Sequence, residues 1–374
     1  MKEKYKPLFE PFTFKSGVTI DNRIVMAPMT TNSAFENGMV TTDEHNYYKR
    51  RTKGLGAVIT SCAQVREDGK FAGSLSAASD MHIESLAKLA DTIKSTGTKA
   101  ILQIFHVGRM GSARTLRGLQ PVSASAIAAM RENAEIPRAL ADEEIHDIIE
   151  AFGQATRRAI LAGFDGVEIH GANTYLIQQF FSPHSNQRDD HWGGTLEKRM
   201  NFPLAVVDSV KAAIKKHADR PFILGYRISP EEIEEPGITL DDTLALLREL
   251  KEKELDYIHI STGHYLQSSI RNSEDQTPVL KAIVETVGAD TPIIGVGQII
   301  TPDDAISAIE ELNLPLLAIG RELIVEPDWI IKVKTGKEST IRTEIHLEDR
   351  ADLAFPDAMW EYIQTRPGWL PIVK

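Results

Sequence analysis

The chain has 374 residues, of which 42% are hydrophobic and 25% are charged, a composition typical of a globular protein with a large core. Its 42 basic and 53 acidic residues give a formal net charge of −11, which argues against nucleic acid as a partner. The single cysteine, Cys62, excludes an internal disulfide and a thiolate cage. No stretch is long and apolar enough for a membrane span or a leader, so we expect a cytoplasmic protein with no membrane partner.

Short β-branched or apolar runs recur along the chain, and each is followed by a longer segment with helical periodicity. Several of these runs are almost continuously apolar, which is typical of parallel strands buried on both faces. The predicted strands are residues 22–28, 56–60, 99–105, 165–170, 221–227, 257–261, 292–296 and 315–320.

Capping signals mark several of the intervening helices. Asp142 is the candidate N-cap of a helix that Gly163 is predicted to end. Thr239 and Asp242 form a candidate capping box. Thr301 is followed by a proline and two acids, an order that suits the first turn of a helix.

Eight strand–helix units follow one another without a flexible linker or a low-complexity segment. This order predicts an α/β fold, a single (β/α)₈ TIM barrel that forms one domain over residues 1–374. A doubly wound open sheet is the alternative. We favour the barrel because no Gly-x-Gly-x-x-Gly motif follows an early strand.

The predicted seventh and eighth strands end in glycines, where such barrels often hold a phosphate. Gly297 follows strand seven, and Gly320 with Arg321 follows strand eight. Glycines let backbone N–H groups approach an anion, and arginine supplies a forked positive charge. The alternative is that the glycines only turn the chain and Arg321 pairs with a carboxylate. Together the two ends favour a ligand that carries a phosphate.

Three hydrogen-bonding side chains, His170, Asn173 and Tyr175, follow strand four within six residues. Histidine and asparagine can both donate to one oxygen and stabilise negative charge that grows on it. A tyrosine beside them can deliver a proton as a general acid. Each residue alone has an ordinary structural interpretation, but the three together at a strand end indicate a catalytic site.

A long polar segment, residues 178–195, comes next and is predicted to be an irregular loop. Irregular segments of this length usually serve a site or an interface. His184 and His191 lie in it, but no thiolate or carboxylate pattern accompanies them, so we expect no metal site.

The run from Ser182 to Gly194 resembles the signature of the old yellow enzyme family, and the preceding His170, Asn173 and Tyr175 resemble that family's substrate-binding pair and proton donor. Further segments are similar to the family in the same order along nearly the whole chain. They are residues 22–30, 102–109, 225–229 and 319–321.

The resemblance implies FMN as the cofactor, with its ring across the mouth of the barrel. Ala27, Pro28 and Met29 would line the ring, and the hydroxyl of Thr30 would reach the flavin O4 edge. Cys62 would lie beside the ring, where the family usually has a small residue.

The resemblance also assigns the remaining cofactor contacts. Gln103 would hydrogen-bond the pyrimidine edge, and Arg227 would lie near flavin N1, where negative charge develops on reduction. Gly297, Gly320 and Arg321 would hold the phosphate.

The activity implied is that of an NAD(P)H-dependent FMN oxidoreductase of the ene-reductase type, with NADH or NADPH as reductant. His170 and Asn173 would hold the oxygen of an α,β-unsaturated carbonyl or nitro compound. Hydride would pass from flavin N5 to the β carbon, and Tyr175 would protonate the α carbon.

The chain departs from parts of the family pattern. Thr30 stands where one branch has cysteine, and one cysteine excludes the related iron–sulfur reductases. Arg366 lies in a tail that loosely resembles one reaching a neighbouring subunit's site. A tail packed on its own subunit is the alternative, so a homo-oligomer stays open.

Three other interpretations compete with the ene-reductase hypothesis. A flavin reductase or dehydrogenase of the same family would use a different acceptor. A non-flavin barrel enzyme acting on a phosphorylated substrate would need a Schiff-base lysine or paired carboxylates at the strand ends. A barrel that only binds a partner is the third, because fold does not dictate function.

Overall fold

The computed structural model describes residues 1–373 and contains eight parallel strands that close into a barrel. Each strand pairs with the next in the chain, and the eighth pairs with the first, so this sheet confirms the predicted (β/α)₈ barrel. The barrel strands are β1 (Ile24–Met26), β2 (Ala57–Ile59), β3 (Lys99–Phe105), β4 (Gly166–Gly171), β5 (Ile223–Ile228), β6 (Tyr257–Ile260), β7 (Ile293–Val296) and β8 (Leu316–Ile319).

Helices surround the barrel and cover the apolar outer faces of the strands. The described helices are α1 (Thr42–Arg51), α2 (Ile83–Lys94), α3 (Asp142–Leu161), α4 (Leu176–Phe181), α5 (Leu196–His217), α6 (Leu240–Lys251), α7 (Val279–Val287), α8 (Pro302–Leu312), α9 (Arg321–Val325), α10 (Trp329–Lys334) and α11 (Asp357–Gln364). None of them is both long and apolar enough to cross a bilayer.

Most predicted strands are confirmed but shorter. Pro28, Pro221, Pro292 and Pro315 all lie outside the strands into which the prediction placed them, because proline has no N–H to donate to a neighbouring strand. The predicted irregular loop 178–195 is partly wrong, since its first four residues belong to α4.

The predicted cap at Asp142 is wrong. The helix begins at Asp142 itself, and the carboxylate of Glu144 accepts the backbone N–H of Ala141 at 2.8 Å. Asp142 instead accepts the indole N–H of Trp192 at 2.6 Å. The capping boxes that begin at Thr239 and Thr301 are both confirmed.

Alternating residues of each strand point into the barrel. The lower interior is apolar, and a hairpin formed by Phe12–Thr13 and Thr19–Ile20 packs Phe14 against Tyr257 near the beginning of β6. Higher in the barrel the interior is polar. Its side chains are Gln103, Glu168, Arg227 and His259, all buried.

The C-terminal segment packs against its own chain. Ile345 bridges to Ile372, and a guanidinium N–H of Arg321 donates to the Trp369 carbonyl at 3.3 Å. Arg366 lies over the ring of Tyr362 at 4.7 Å. The tail thus contacts its own subunit, while Arg366 itself is exposed.

Candidate active site

A cavity of about 780 Å³ opens at the C-terminal ends of β1, β5, β7 and β8. Its volume falls in the usual range for small-molecule and cofactor pockets, roughly 300–1,000 Å³. Seven of the ten predicted cofactor residues line it: Ala27, Pro28, Met29, Arg227, Gly297, Gly320 and Arg321.

One end of this cavity suits a phosphate. Gly297 has a φ of +124°, and a Cβ atom there would lie 2.7 Å from the backbone nitrogen of His264, so only glycine fits. A Cβ on Gly320 would meet nothing closer than 3.6 Å, so the backbone is open. Arg321 makes no ion pair with a carboxylate among residues 1–373 and instead donates to the Trp369 carbonyl, so the pairing in the alternative is not observed.

Another part of the cavity wall suits an aromatic ring with a polar edge. Ala27 and Met29 provide apolar surface, and the guanidinium of the buried Arg227 makes no hydrogen bond or ion pair with a described residue. A buried cation without a protein partner suits a ligand in the cavity that supplies an acceptor.

Three predicted cofactor residues do not line this cavity. Thr30 lies one residue beyond Met29. Cys62 is buried against Phe105 and Val107, and burial raises the pKa of its thiol, so the thiol is protonated at neutral pH. The Nε2 atom of Gln103 donates to Glu168 at 2.7 Å.

Glu168 is the centre of a buried polar network that the sequence reasoning missed. It is fully buried, and His259 donates to its Oε2 from Nδ1 at 3.0 Å. Burial alone would raise the pKa of Glu168, but the charges of His259 and Arg227 and the Gln103 hydrogen bond lower it overall. The alternation of residues along β4 was the available signal, because Glu168 lies two positions before His170 and faces the same way.

His170 is held as a neutral hydrogen-bond donor. It is 3% exposed, and burial lowers its pKa well below the usual value. Its Nδ1 accepts the backbone N–H of Ala172 at 3.3 Å, which assigns the ring proton to Nε2.

Asn173 is likewise oriented to donate a hydrogen bond. Its Oδ1 accepts the hydroxyl of Ser261 at 2.9 Å, and its own backbone N–H donates to Ser229 at 2.9 Å. The side-chain amide nitrogen therefore remains free to donate. Its φ of +55° is a conformation that asparagine tolerates better than most residues.

Tyr175 packs among aromatic rings beside these donors. Its ring centroid is 5.0 Å from that of His170, 5.1 Å from that of Phe105 and 6.3 Å from that of Phe71. Burial raises the pKa of its hydroxyl, so Tyr175 is protonated at neutral pH. The structure thus brings His170, Asn173 and Tyr175 together at one end of the barrel, as the spacing predicts.

The signature segment, from Ser182 to Gly194, mainly makes structural contacts. Ser182 donates to the buried Glu232, and Arg188 forms an ion pair with Asp190 at 2.6 Å. His184 accepts from Arg109 at 3.2 Å, which accounts for one of the two loop histidines. These contacts hold α4 behind the donor residues rather than adding groups to the cavity.

The residues of the cavity fit FMN. A glycine backbone and Arg321 are available to a phosphate, and a buried cation with an apolar wall is available to the flavin ring. Because the reduced flavin carries negative charge near N1, the guanidinium of Arg227, which lines the cavity without a protein partner, is the observation that supports this fit most strongly.

Comparison with known proteins agrees with this fit. Residues 7–340 match the NADH:flavin oxidoreductase / NADH oxidase family. The chain is 48% identical over 372 residues to a probable NADH-dependent flavin oxidoreductase of Bacillus subtilis, with 99% of each chain covered.

Two longer proteins are also similar. The chain is 49% identical to NADH:acrylate oxidoreductase of Vibrio harveyi and 45% identical to NADH:fumarate oxidoreductase of Klebsiella pneumoniae. The matches cover 95% of this chain but only 35% and 38% of those proteins, so the chain spans about a third of their length.

Solved structures share the fold. The old yellow enzyme homologue of Zymomonas mobilis has a TM-score of 0.77 at 26% identity, over 88% of this chain and 92% of that chain. Morphinone reductase in complex with tetrahydroNAD has a TM-score of 0.76 at 25% identity, over 88% and 91%. The chain therefore belongs to the NADH:flavin oxidoreductase / NADH oxidase family, that of the old yellow enzyme, and is an oxidoreductase that uses FMN and a nicotinamide reductant.

Proposed function

We propose that the protein reduces activated alkenes, namely α,β-unsaturated carbonyl or nitro compounds. The observation that carries this proposal is the orientation of two neutral donors, His170 and Asn173, at the same end of the barrel as the FMN cavity. Two fixed N–H groups suit an oxygen on which negative charge grows.

His170 and Asn173 bind the substrate oxygen in this proposal. The Nε2–H of His170 and the amide of Asn173 draw electron density from the conjugated alkene, which makes its β carbon electron-poor. Because Ala172 and Ser261 already fix the opposite atoms of the two side chains, the donors need little reorganisation when charge develops. FMN, when bound, would accept and donate two electrons reversibly.

Tyr175 supplies the proton to the α carbon in this proposal. Its hydroxyl has no hydrogen-bond partner among residues 1–373, so the proton is not committed to a protein acceptor. The raised pKa makes Tyr175 a weak acid, which suits transfer to a strongly basic enolate-like carbon rather than to a neutral alkene.

Gln103 and Arg227 have supporting roles. We assign Gln103 to the pyrimidine edge and Arg227 to the N1 edge of the flavin, where a cation favours the negatively charged reduced form. Glu168 accepts a hydrogen bond from Gln103, which positions that side chain, and its charge balances that of Arg227. Thr30 and Cys62 are assigned to the ring surface on the resemblance alone.

A dehydrogenase with a different electron acceptor is the second candidate. It is favoured by one observation: the acrylate and fumarate oxidoreductases match this chain over only about a third of their own length. A match over a third of a protein does not assign its alkene reduction to the matched part, and acrylate and fumarate belong in the substrate panel for this reason.

Anaerobic half-reactions separate the two candidates. The bound FMN is first reduced with NADH or NADPH, and the reduced protein is then mixed with cyclohexenone, a nitroalkene, acrylate or fumarate while flavin absorbance is followed. We expect reoxidation by at least the enone, with the saturated product formed in equal amount. Rapid reduction followed by no reoxidation with any alkene would contradict the proposal and favour the second candidate.

A further inference from the structure

A second cavity, of about 850 Å³, is lined by Phe71, whose ring stacks on Tyr175, and has no role in the mechanism above. Lys70, Phe71 and Arg114 line it on one side, and Tyr362 and Thr365 of the C-terminal segment line it on the other. We call it the C-terminal cavity.

Lys70 is the unusual residue of the C-terminal cavity. Its side chain is only 8% exposed, yet its ammonium has no close partner. The contacts given by the structure are the Glu36 carbonyl at 3.5 Å and the exposed Glu67 carboxylate at 3.9 Å. Burying a charged group without a strong partner is costly, so a lysine in this position indicates an anionic ligand.

The other charged groups leave the cavity suited to an anion. The side chain of Arg114 is exposed and has no ion pair with any described residue. Glu36 also lines the cavity, but Arg117 pairs with its carboxylate at 2.9 Å. Glu361 is exposed at the edge and remains free to turn toward solvent.

The C-terminal cavity lies next to the place where the nicotinamide reductant would react. Phe71 forms the wall between the cavity and Tyr175, and the two rings are stacked with centroids 6.3 Å apart. A nicotinamide ring that meets FMN beside Tyr175 carries its diphosphate one ribose away. Lys70 therefore lies on the side of the barrel where a diphosphate could emerge.

We propose that the C-terminal cavity binds the diphosphate of the nicotinamide dinucleotide, with the ammonium of Lys70 donating to the phosphate oxygens and Arg114 adding positive charge. The inference deepens the proposed function, on which it rests for the position of the reacting ring. Tyr362, on the other side of the cavity, supplies an aromatic surface that the adenine end of the dinucleotide can contact.

The test compares two reductants in the FMN-loaded protein. NADH carries the diphosphate, whereas N-benzyl-1,4-dihydronicotinamide has the same reacting ring and no phosphate. Lys70→Gln should raise the apparent dissociation constant for NADH in anaerobic flavin reduction by about tenfold or more, since a charge-assisted hydrogen bond is lost. Reduction by the truncated compound should stay within about twofold, because it makes no contact that depends on charge.

Lys88→Gln is the matched control, because Lys88 is an exposed lysine on α2 that pairs only with Glu84. It should leave both reductants unchanged. Unchanged NADH affinity in Lys70→Gln would overturn the proposal, and so would an equal loss with both reductants. Slower reoxidation by acrylate, with NADH affinity intact, would instead assign the cavity to an anionic substrate. Because NADH affinity is measured in flavin reduction alone, a failure of alkene turnover would not imitate its loss.

Discussion

Glu322 is an acidic residue in the cavity that we assign to FMN and its phosphate. It is 7% exposed and lines the FMN cavity, and its Oε1 atom has no hydrogen-bond partner among the described residues. Burial and the nearby Glu326 and Asp304 raise its pKa to about 8. At neutral pH Glu322 is therefore mostly protonated, and it can lie near a phosphate without repelling it.

The protonation of Glu322 determines the direction in which the affinity for FMN changes with pH. Raising the pH above about 8 removes the proton from Glu322 and places a negative charge in the cavity, so FMN should bind more weakly. We expect the FMN dissociation constant to rise by up to about tenfold per pH unit in that range, the limit for one linked proton. Quenching of flavin fluorescence on binding to the apoprotein, measured from pH 6.5 to 9.5, provides the readout.

Glu322→Gln is the comparison for that titration. The variant keeps a hydrogen-bonding side chain of similar size and has no carboxyl to titrate, so its FMN affinity should not depend on pH above neutrality. A wild-type dissociation constant that stays constant to pH 9.5 would show that Glu322 does not interact with the cofactor.

Between elements, the packing of β5 against β6 shows why a glycine is needed inside the barrel. A Cβ atom on Gly225 would lie 2.0 Å from the ring of Tyr257, which occupies the interior beside it. The two residues are partners in the parallel register of the strands. The barrel can therefore hold a tyrosine at this level only because its neighbour has no side chain.

Gly225→Ala should consequently destabilise the fold. Overpacking a well-packed core typically costs about 1–3 kcal/mol, and the fixed strand leaves Tyr257 little room to move. Urea unfolding measures the loss. The same substitution made on a Tyr257→Leu background should cost less, because the obstructing ring atoms are gone. Equal costs in the two backgrounds would mean that the ring moves aside freely.

For the whole molecule, the sequence was sufficient to predict the architecture and the end of the barrel at which the candidate site residues lie, but not the orientation of their side chains. The β/α periodicity and the glycines at the ends of strands seven and eight predicted the barrel and one cavity. The spacing of His170, Asn173 and Tyr175 predicted that they meet at one end. These features are local, so short-range patterns were sufficient.

The remaining features depend on contacts between distant segments. The orientation of Asn173 depends on Ser261, and the cavity that Lys70 lines is completed by a C-terminal segment almost 300 residues away. The local periodicity of the sequence cannot predict contacts between residues so far apart in the chain. The Asp142 cap was mispredicted for the same reason, because its carboxylate is taken by Trp192 from a different part of the chain.

Reoxidation of the reduced His170→Ala variant tests the central claim most directly. The FMN-loaded variant would be reduced with dithionite, which avoids any effect on nicotinamide binding, and then mixed anaerobically with cyclohexenone. Loss of one donor to a developing oxyanion commonly costs about a hundred- to a thousandfold. We expect reoxidation to slow by that factor while FMN remains bound. A rate equal to that of the wild-type protein would contradict the account.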